Sequence, residues 1–216
     1  MAYVMLKNDE ILIVGKIGPK VSIALSKKHG KIRFLGSQNL LTLSVYKVSF
    51  YFYENNEIVK IKESKFLYTF YPIVRNYEKY KYTAFAFRII SDFLPLFFPS
   101  SNIYQLTLDY LKSLVKNEEN IEKFYMLWLY KVMYLLNEID HLLYCRECGD
   151  SNVSFYVKGI GMYCDKCLRN SGFRIEKYEL DFLKNLSKFN FETIKSVKID
   201  FQKFISIFED SILNTL

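Results

Sequence analysis

Two Cys-x-x-Cys pairs, Cys145-Arg146-Glu147-Cys148 and Cys164-Asp165-Lys166-Cys167, constrain this chain more than any other feature. They hold all 4 of its cysteines, and a fifteen-residue spacer from Gly149 to Tyr163 separates them. That spacing is the pattern of a four-thiolate zinc site, because each tight knuckle aims two sulfurs at one point. Phe155-Tyr156-Val157, a turn at Lys158-Gly159 and Met162-Tyr163 predict a small hairpin that returns the second knuckle to the first. An iron–sulfur cluster also uses four cysteines, and two redox dithiols or two disulfides are further readings. A lone redox Cys-x-x-Cys follows a strand in a βαβ unit, and no such unit surrounds these pairs. Four protein ligands leave zinc no open position. The expectation is therefore one structural Zn2+ ion on Cys145, Cys148, Cys164 and Cys167.

With the cysteines assigned to metal, none remain for disulfides, which suits a reducing cytosol. The N-terminus lacks the basic-then-apolar layout of a signal peptide. The apolar run Phe124 to Leu136 is short and broken by Lys131, so it does not span a membrane. A cytoplasmic protein without membrane association is expected. Half of the 216 residues are hydrophobic, which makes a packed core feasible and general disorder untenable. The net charge of +7 is unevenly placed. Residues 1–75 carry 12 Lys and Arg against 5 Asp and Glu, and the rest of the chain balances to zero. A one-sided basic segment is the footprint of a polyanion binder, although charge bias alone also describes an inert basic surface. The 18 Tyr and 19 Phe count as base-stacking residues only where they lie on a basic face.

Residues 3–70 read as strands. Tyr3 to Lys7 and Glu10 to Lys16 are β-type runs, separated by Asn8-Asp9 and ended by Gly15 to Pro19. Val21, Ile23 and Leu25 alternate with Ser22, Ala24 and Ser26, which predicts a half-buried strand. Lys27-Lys28-His29-Gly30 is a turn, followed by Lys31 to Leu35, by Leu41 to Tyr53, by a turn at 54–57 and by Ile58 to Lys62. Five strands in one Gly-punctuated segment predict a small barrel of the OB-fold kind. Alternation puts Lys31, Arg33, Lys60 and Lys62 on its exterior, and the turn adds Lys27 and Lys28. Such a face could track a phosphate backbone. Exterior lysines are also ordinary barrel surface.

From Tyr77 the period becomes helical. Helices are predicted over Tyr77 to Leu94, Asn102 to Lys116, Ile121 to Ile139, Glu176 to Leu186 and Phe201 to Ile212. The third is apolar on most sides and therefore buried. The fold class expected is α+β: a five-stranded barrel over 1–75, then a helical bundle over 76–216 with the zinc segment 145–167 inserted. No active site is legible. The 2 histidines, His29 and His141, show no triad pattern with a Ser or free Cys, and no phosphate-binding glycine motif occurs. No enzymatic activity is expected.

The order basic barrel, helices, four-cysteine segment resembles the bacterial DNA repair and recombination mediator family RecO. Ser22-Ile23-Ala24-Leu25-Ser26-Lys27-Lys28-His29-Gly30-Lys31-Ile32 looks like the family's strand ending in a basic-His-Gly-basic turn. Cys145-x-x-Cys148, Phe155, Gly159 and Cys164-x-x-Cys167 look like its zinc motif. The resemblance covers nearly the whole chain. It implies an OB-fold that binds single- and double-stranded DNA, annealing of complementary strands, and partnership with RecR. It further implies docking to the C-terminal tail of single-strand-binding protein and help in loading RecA. One departure is the short, uncharged loop Gly36-Ser37-Gln38-Asn39, where many members carry a longer basic loop. It shifts DNA binding onto Lys27, Lys28, Lys31, Arg33, Lys60 and Lys62. The alternative is a zinc-stapled adaptor whose barrel binds RNA or protein.

Overall fold

The computed structural model describes residues 4–35, 40–53, 57–168 and 172–214. The short loop at 36–39 and the turn at 54–56 lie outside the described residues. The first strands are β1 (Val4–Ile17), β2 (Val21–Ser26), β3 (Gly30–Leu35), β4 (Ser44–Tyr53) and β5 (Ile58–Thr69). They close into a barrel in the order β1-β2-β3-β5-β4, with β4 returning to β1. Every pairing is antiparallel except β3 with β5. That order is compatible with an OB-fold. Ile11, Ile13, Ile32, Phe34, Val48 and Phe50 fill the barrel as alternate residues of their strands.

Two strands are longer than pattern predicts. Asn8-Asp9 does not interrupt β1, whose Val4–Leu12 stretch pairs continuously with β4. Near Gly15 the strand shifts register against β2 instead of ending. β5 runs beyond Lys62 to Thr69, with register shifts against β4 that absorb its change of direction. Alternation predicts a half-buried β2, yet it is buried on both faces from Ser22 to Ser26. Ala24 faces the barrel core. Ile23 is turned the other way, toward the helix that follows the barrel.

That helix is α1 (Tyr77–Phe93), and α2 (Ser101–Lys116) follows it. Asn76 caps α1 by accepting the Lys79 N–H at 3.1 Å. The change of period puts a boundary at 75, whereas packing divides the chain into compact units ending and beginning at Glu118 and Glu119. The reason is the outer face of β1 and β2, where Leu12, Val14, Ile23 and Leu25 are buried and α1 and α2 pack. These two helices therefore group with the strands rather than with a single bundle of all the helices.

The second unit is built on α3 (Ile121–Leu135). Every residue from Phe124 to Tyr130 is at most 2% exposed, as its all-round apolar sequence requires. α5 (Phe201–Asn214) packs along it, with the Tyr130 and Phe208 rings 5.8 Å apart and the Tyr125 hydroxyl donating to Glu209 at 2.8 Å. Between them come the strands β6 (Phe155–Val157), β7 (Gly161–Tyr163) and β8 (Phe173–Arg174), paired in the order β7-β6-β8. α4 (Lys177–Asn185) starts on a reciprocal capping box between Glu176 and Glu179.

Candidate nucleic-acid interface and metal centre

The predicted hairpin is β6–β7, and it closes the cysteine site. Arg146 N–H donates to the Met162 carbonyl at 2.9 Å, tying the first knuckle to β7. Each knuckle turns on itself, with Gly149 N–H reaching the Cys145 carbonyl at 2.9 Å and Cys167 N–H the Cys164 carbonyl at 3.1 Å. The four sulfurs consequently lie within 4.8 Å of one another. Tetrahedral thiolates around a metal with bonds of about 2.3 Å stand about 3.8 Å apart. Cys148 Sγ and Cys164 Sγ are separated by 3.7 Å, and all four thiols are free, which fits a shared ion and not a disulfide. Burial pushes the Cys145 thiol up, but N–H groups of Cys148, Cys164 and Glu147 outweigh it and lower it, whereas the neighbouring Cys148 and Cys164 sulfurs push Cys167 up. A thiolate is the ligand form a metal needs. The hairpin is anchored on α5, where Asp210 accepts from the Tyr156 hydroxyl at 2.5 Å and from Gly159 N–H at 2.7 Å.

The basic turn at Lys27-Lys28-His29-Gly30 is organised by a carboxylate that pattern alone treats as a strand break. Asp9 shares the inward parity of Ile11 and Ile13, and its side chain is fully buried. It accepts from Lys28 N–H at 2.9 Å, from His29 Nδ1 at 3.0 Å and from Glu10 N–H at 2.8 Å. The Ser26 hydroxyl also donates to it, and Ser26 in turn accepts His29 N–H at 2.9 Å. Burial raises the Asp9 carboxyl, but the bonds from His29, Ser26, Lys28 and Glu10 prevail and hold it below its ordinary value. The parity of Asp9 was the available signal, since a carboxylate on an inner face needs such partners.

A group with a lowered folded value binds fewer protons folded than unfolded, so its stabilisation is present above about pH 4 and lost as pH falls through the folded value. Asp9→Asn replaces an acceptor of four bonds with a group that cannot accept them all. We expect it to cost about 2 kcal/mol at neutral pH. Urea melts across a pH series from acid to neutral should show a shallower acid loss in the Asp9→Asn variant than in the parent. Parallel curves would remove Asp9 as the organiser.

Lys27 and Lys28 are exposed on this turn, as expected. Lys31 is buried, contrary to the expectation of an exposed lysine. Outward alternation is right, but residues 96–98 cross over it, so it is only 4% exposed. Phe97 N–H donates to the Lys31 carbonyl at 2.9 Å, and Lys31 Nζ donates to the Ser91 carbonyl at 2.8 Å. It pins the end of α1 and is withdrawn from any phosphate. Arg33 is half-buried and paired with Glu57 at 2.9 Å. Lys60 and Lys62 are exposed on β5, and Lys62 lies 3.8 Å from Glu63.

Both histidines have serine partners, Ser26 three residues before His29 and Ser211 far along the chain from His141. Ser26 lies on the same Nδ1 side of His29 as Asp9 and is fully buried, which is not the arrangement of a nucleophile and its base. His141 Nε2 meets the Ser211 hydroxyl, 6% exposed, beside a cavity of about 140 Å³ that Arg146 and Gly161 help to line. A larger cavity of about 330 Å³ lies between β1, β2 and α1, floored by Val14, Ile23 and Phe87 and edged by Lys16 and Arg88. Among the described residues, the cysteines form the metal-ligating cluster, and no helix is long and apolar enough to cross a membrane.

Compared with known families, residues 74–206 match the family model described as recombination protein O C terminal (RecO_C). No curated protein matches the chain.

Proposed function

The chain belongs to the recombination protein O family and has a role in DNA recombination and repair, and from that premise we propose that it is a nonenzymatic mediator. In this reading its barrel is an OB-fold that binds single- and double-stranded DNA and anneals complementary strands in the cytoplasm. It works with RecR, docks on the C-terminal tail of single-strand-binding protein and helps RecA load. The observation that carries the reading is the turn on Asp9. Lys27 and Lys28 are presented to solvent on a loop whose backbone is fixed by a buried carboxylate, so their order costs little on binding. Arg33, Lys60 and Lys62 extend the basic surface, and Lys31 supports it from beneath.

The ion proposed for Cys145, Cys148, Cys164 and Cys167 is a single Zn2+. Zinc accepts a closed tetrahedron of thiolates and has no redox chemistry to control. It supplies a cross-link between two knuckles and leaves DNA binding to the barrel.

Each lysine that neutralises a phosphate contributes about 0.7 to the slope of log affinity against log salt for a single strand. Lys27→Ala/Lys28→Ala should therefore flatten that slope by about 1.4. Fluorescence anisotropy of a labelled oligonucleotide across a salt series reads it directly. An unchanged slope would remove the turn from the interface, and uptake of RNA in preference to DNA in the same titration would favour an adaptor.

A further inference from the structure

The barrel's register brings together four charged residues that lie far apart in sequence. Lys27 N–H donates to the Glu10 carbonyl at 2.9 Å, so the turn extends the β1–β2 ladder by one step. Glu10 stands opposite Lys47 on β4, and Lys47 stands opposite Lys65 on β5. Lys27, Glu10, Lys47 and Lys65 thus form one lateral row across the outside of the barrel. Neighbouring strands are about 4.8 Å apart, so the row is about 14 Å long. Lys27, Lys47 and Lys65 are exposed.

Two details give the row a direction of use. Like charges directly opposite on neighbouring strands repel, yet Lys47 and Lys65 are such a pair. The one acid in the row does not relieve them. Glu10 is turned to accept the Tyr104 hydroxyl at 2.8 Å, and among the described residues neither lysine has a carboxylate within ion-pair reach. A surface that keeps an unrelieved cationic pair beside a basic turn is complementary to a chain of phosphates. The row also joins two halves of the basic surface. Lys27 and Lys28 lie at one side of β1 and β4, and Lys60 and Lys62 lie on β5 at the other.

We infer that a single DNA strand crosses the barrel at right angles to its β-strands, running from the Lys27-Lys28 turn over β1 and β4 to Lys65, with Lys47 and Lys65 as phosphate contacts. The inference rests on the DNA-binding reading above and names its path. The neighbouring acids are Glu63, near Lys62, and Asp109, which takes Lys112 at 3.4 Å.

The test is the salt series with the full chain carrying Lys47→Gln/Lys65→Gln, against a control of equal charge change, Lys16→Gln/Lys20→Gln. The first variant should flatten the slope by about 1.4, and the control should keep the parent slope. Removing the like-charge pair relieves repulsion, so a thermal melt should show the fold retained. A parent slope in Lys47→Gln/Lys65→Gln, with the Lys27→Ala/Lys28→Ala slope reduced, would overturn the path and leave DNA binding standing. Equal flattening in the control would reduce the effect to net charge and overturn the path as well. A parent protein with no salt-dependent binding would overturn both the path and the reading beneath it.

Discussion

A tight zinc chelator should release one equivalent of zinc per chain and unfold much of the segment that follows α3. Structural zinc contributes about 10–16 kcal/mol of apparent binding energy in small zinc domains at neutral pH, which exceeds the stability of most domains. With the proposed ion in place, the surroundings depend on it. β6 and β7 are three-residue strands, too short to hold a hairpin by pairing alone. Removing the ion leaves four thiols within 4.8 Å of one another with no bond between them. The hairpin's anchor on α5, from Tyr156 and Gly159 to Asp210, should loosen with it. Trp128 is the only tryptophan and is fully buried in α3, so its emission reports this unit and should shift to the red. Cys164→Ser should reproduce the shift, whereas the variant's affinity for single-stranded DNA should stay near the parent value because the barrel lies in the other unit. A variant that stays folded but loses DNA binding would contradict the cross-link. Iron in place of zinc on metal analysis would replace the ion and keep the site.

Gly30→Ala should strongly destabilise the barrel. Gly30 has φ +68, a backbone conformation that costs a residue with a Cβ about 1–2 kcal/mol. More serious is the space. A Cβ there would stand 1.8 Å from the Phe98 carbonyl oxygen, which belongs to the crossing segment over β3. That segment must then lift. Lifting it breaks the Phe97 N–H bond to Lys31, separates the Phe52 and Phe97 rings now 4.9 Å apart, and uncovers the Lys31 ammonium bonded to Ser91. Overpacking of this kind costs about 1–3 kcal/mol more, so the total is about 3 kcal/mol or greater. Gly18 is the comparison, since it has φ +60 and nothing within 4 Å of its absent Cβ. Gly18→Ala should lose only the backbone contribution. Thermal melts of the two variants should differ by several degrees, and equal losses would show that the crossing segment is not held at Gly30.

What the sequence made legible was local. The cysteine pairs lie within twenty-three residues, and their chemistry follows from spacing that no distant contact can alter. α3 was legible for a similar reason, because a helix apolar on every side has only one place to go. The barrel's strands could be read from alternation and turns, and their number and closure follow. Lys31 shows where that reading stops. Its outward parity is correct, but its burial is decided by residues 96–98, which no periodicity near position 31 announces. The grouping of α1 and α2 with the strands is of the same kind, since a helical period says which face is apolar and not which partner covers it. Asp9 is the intermediate case. Its polarity suggested a break, while its parity with Ile11 and Ile13 already implied a buried carboxylate with work to do.

As proposed above, this family member is a nonenzymatic mediator whose barrel brings complementary strands together. Its most direct measurement is the annealing rate of two complementary oligonucleotides coated with single-strand-binding protein, followed by fluorescence quenching with and without the protein. Acceleration is expected at low protein concentration, lost at high salt and reduced in Lys27→Ala/Lys28→Ala. Unchanged annealing by a protein that still binds single-stranded DNA would contradict it.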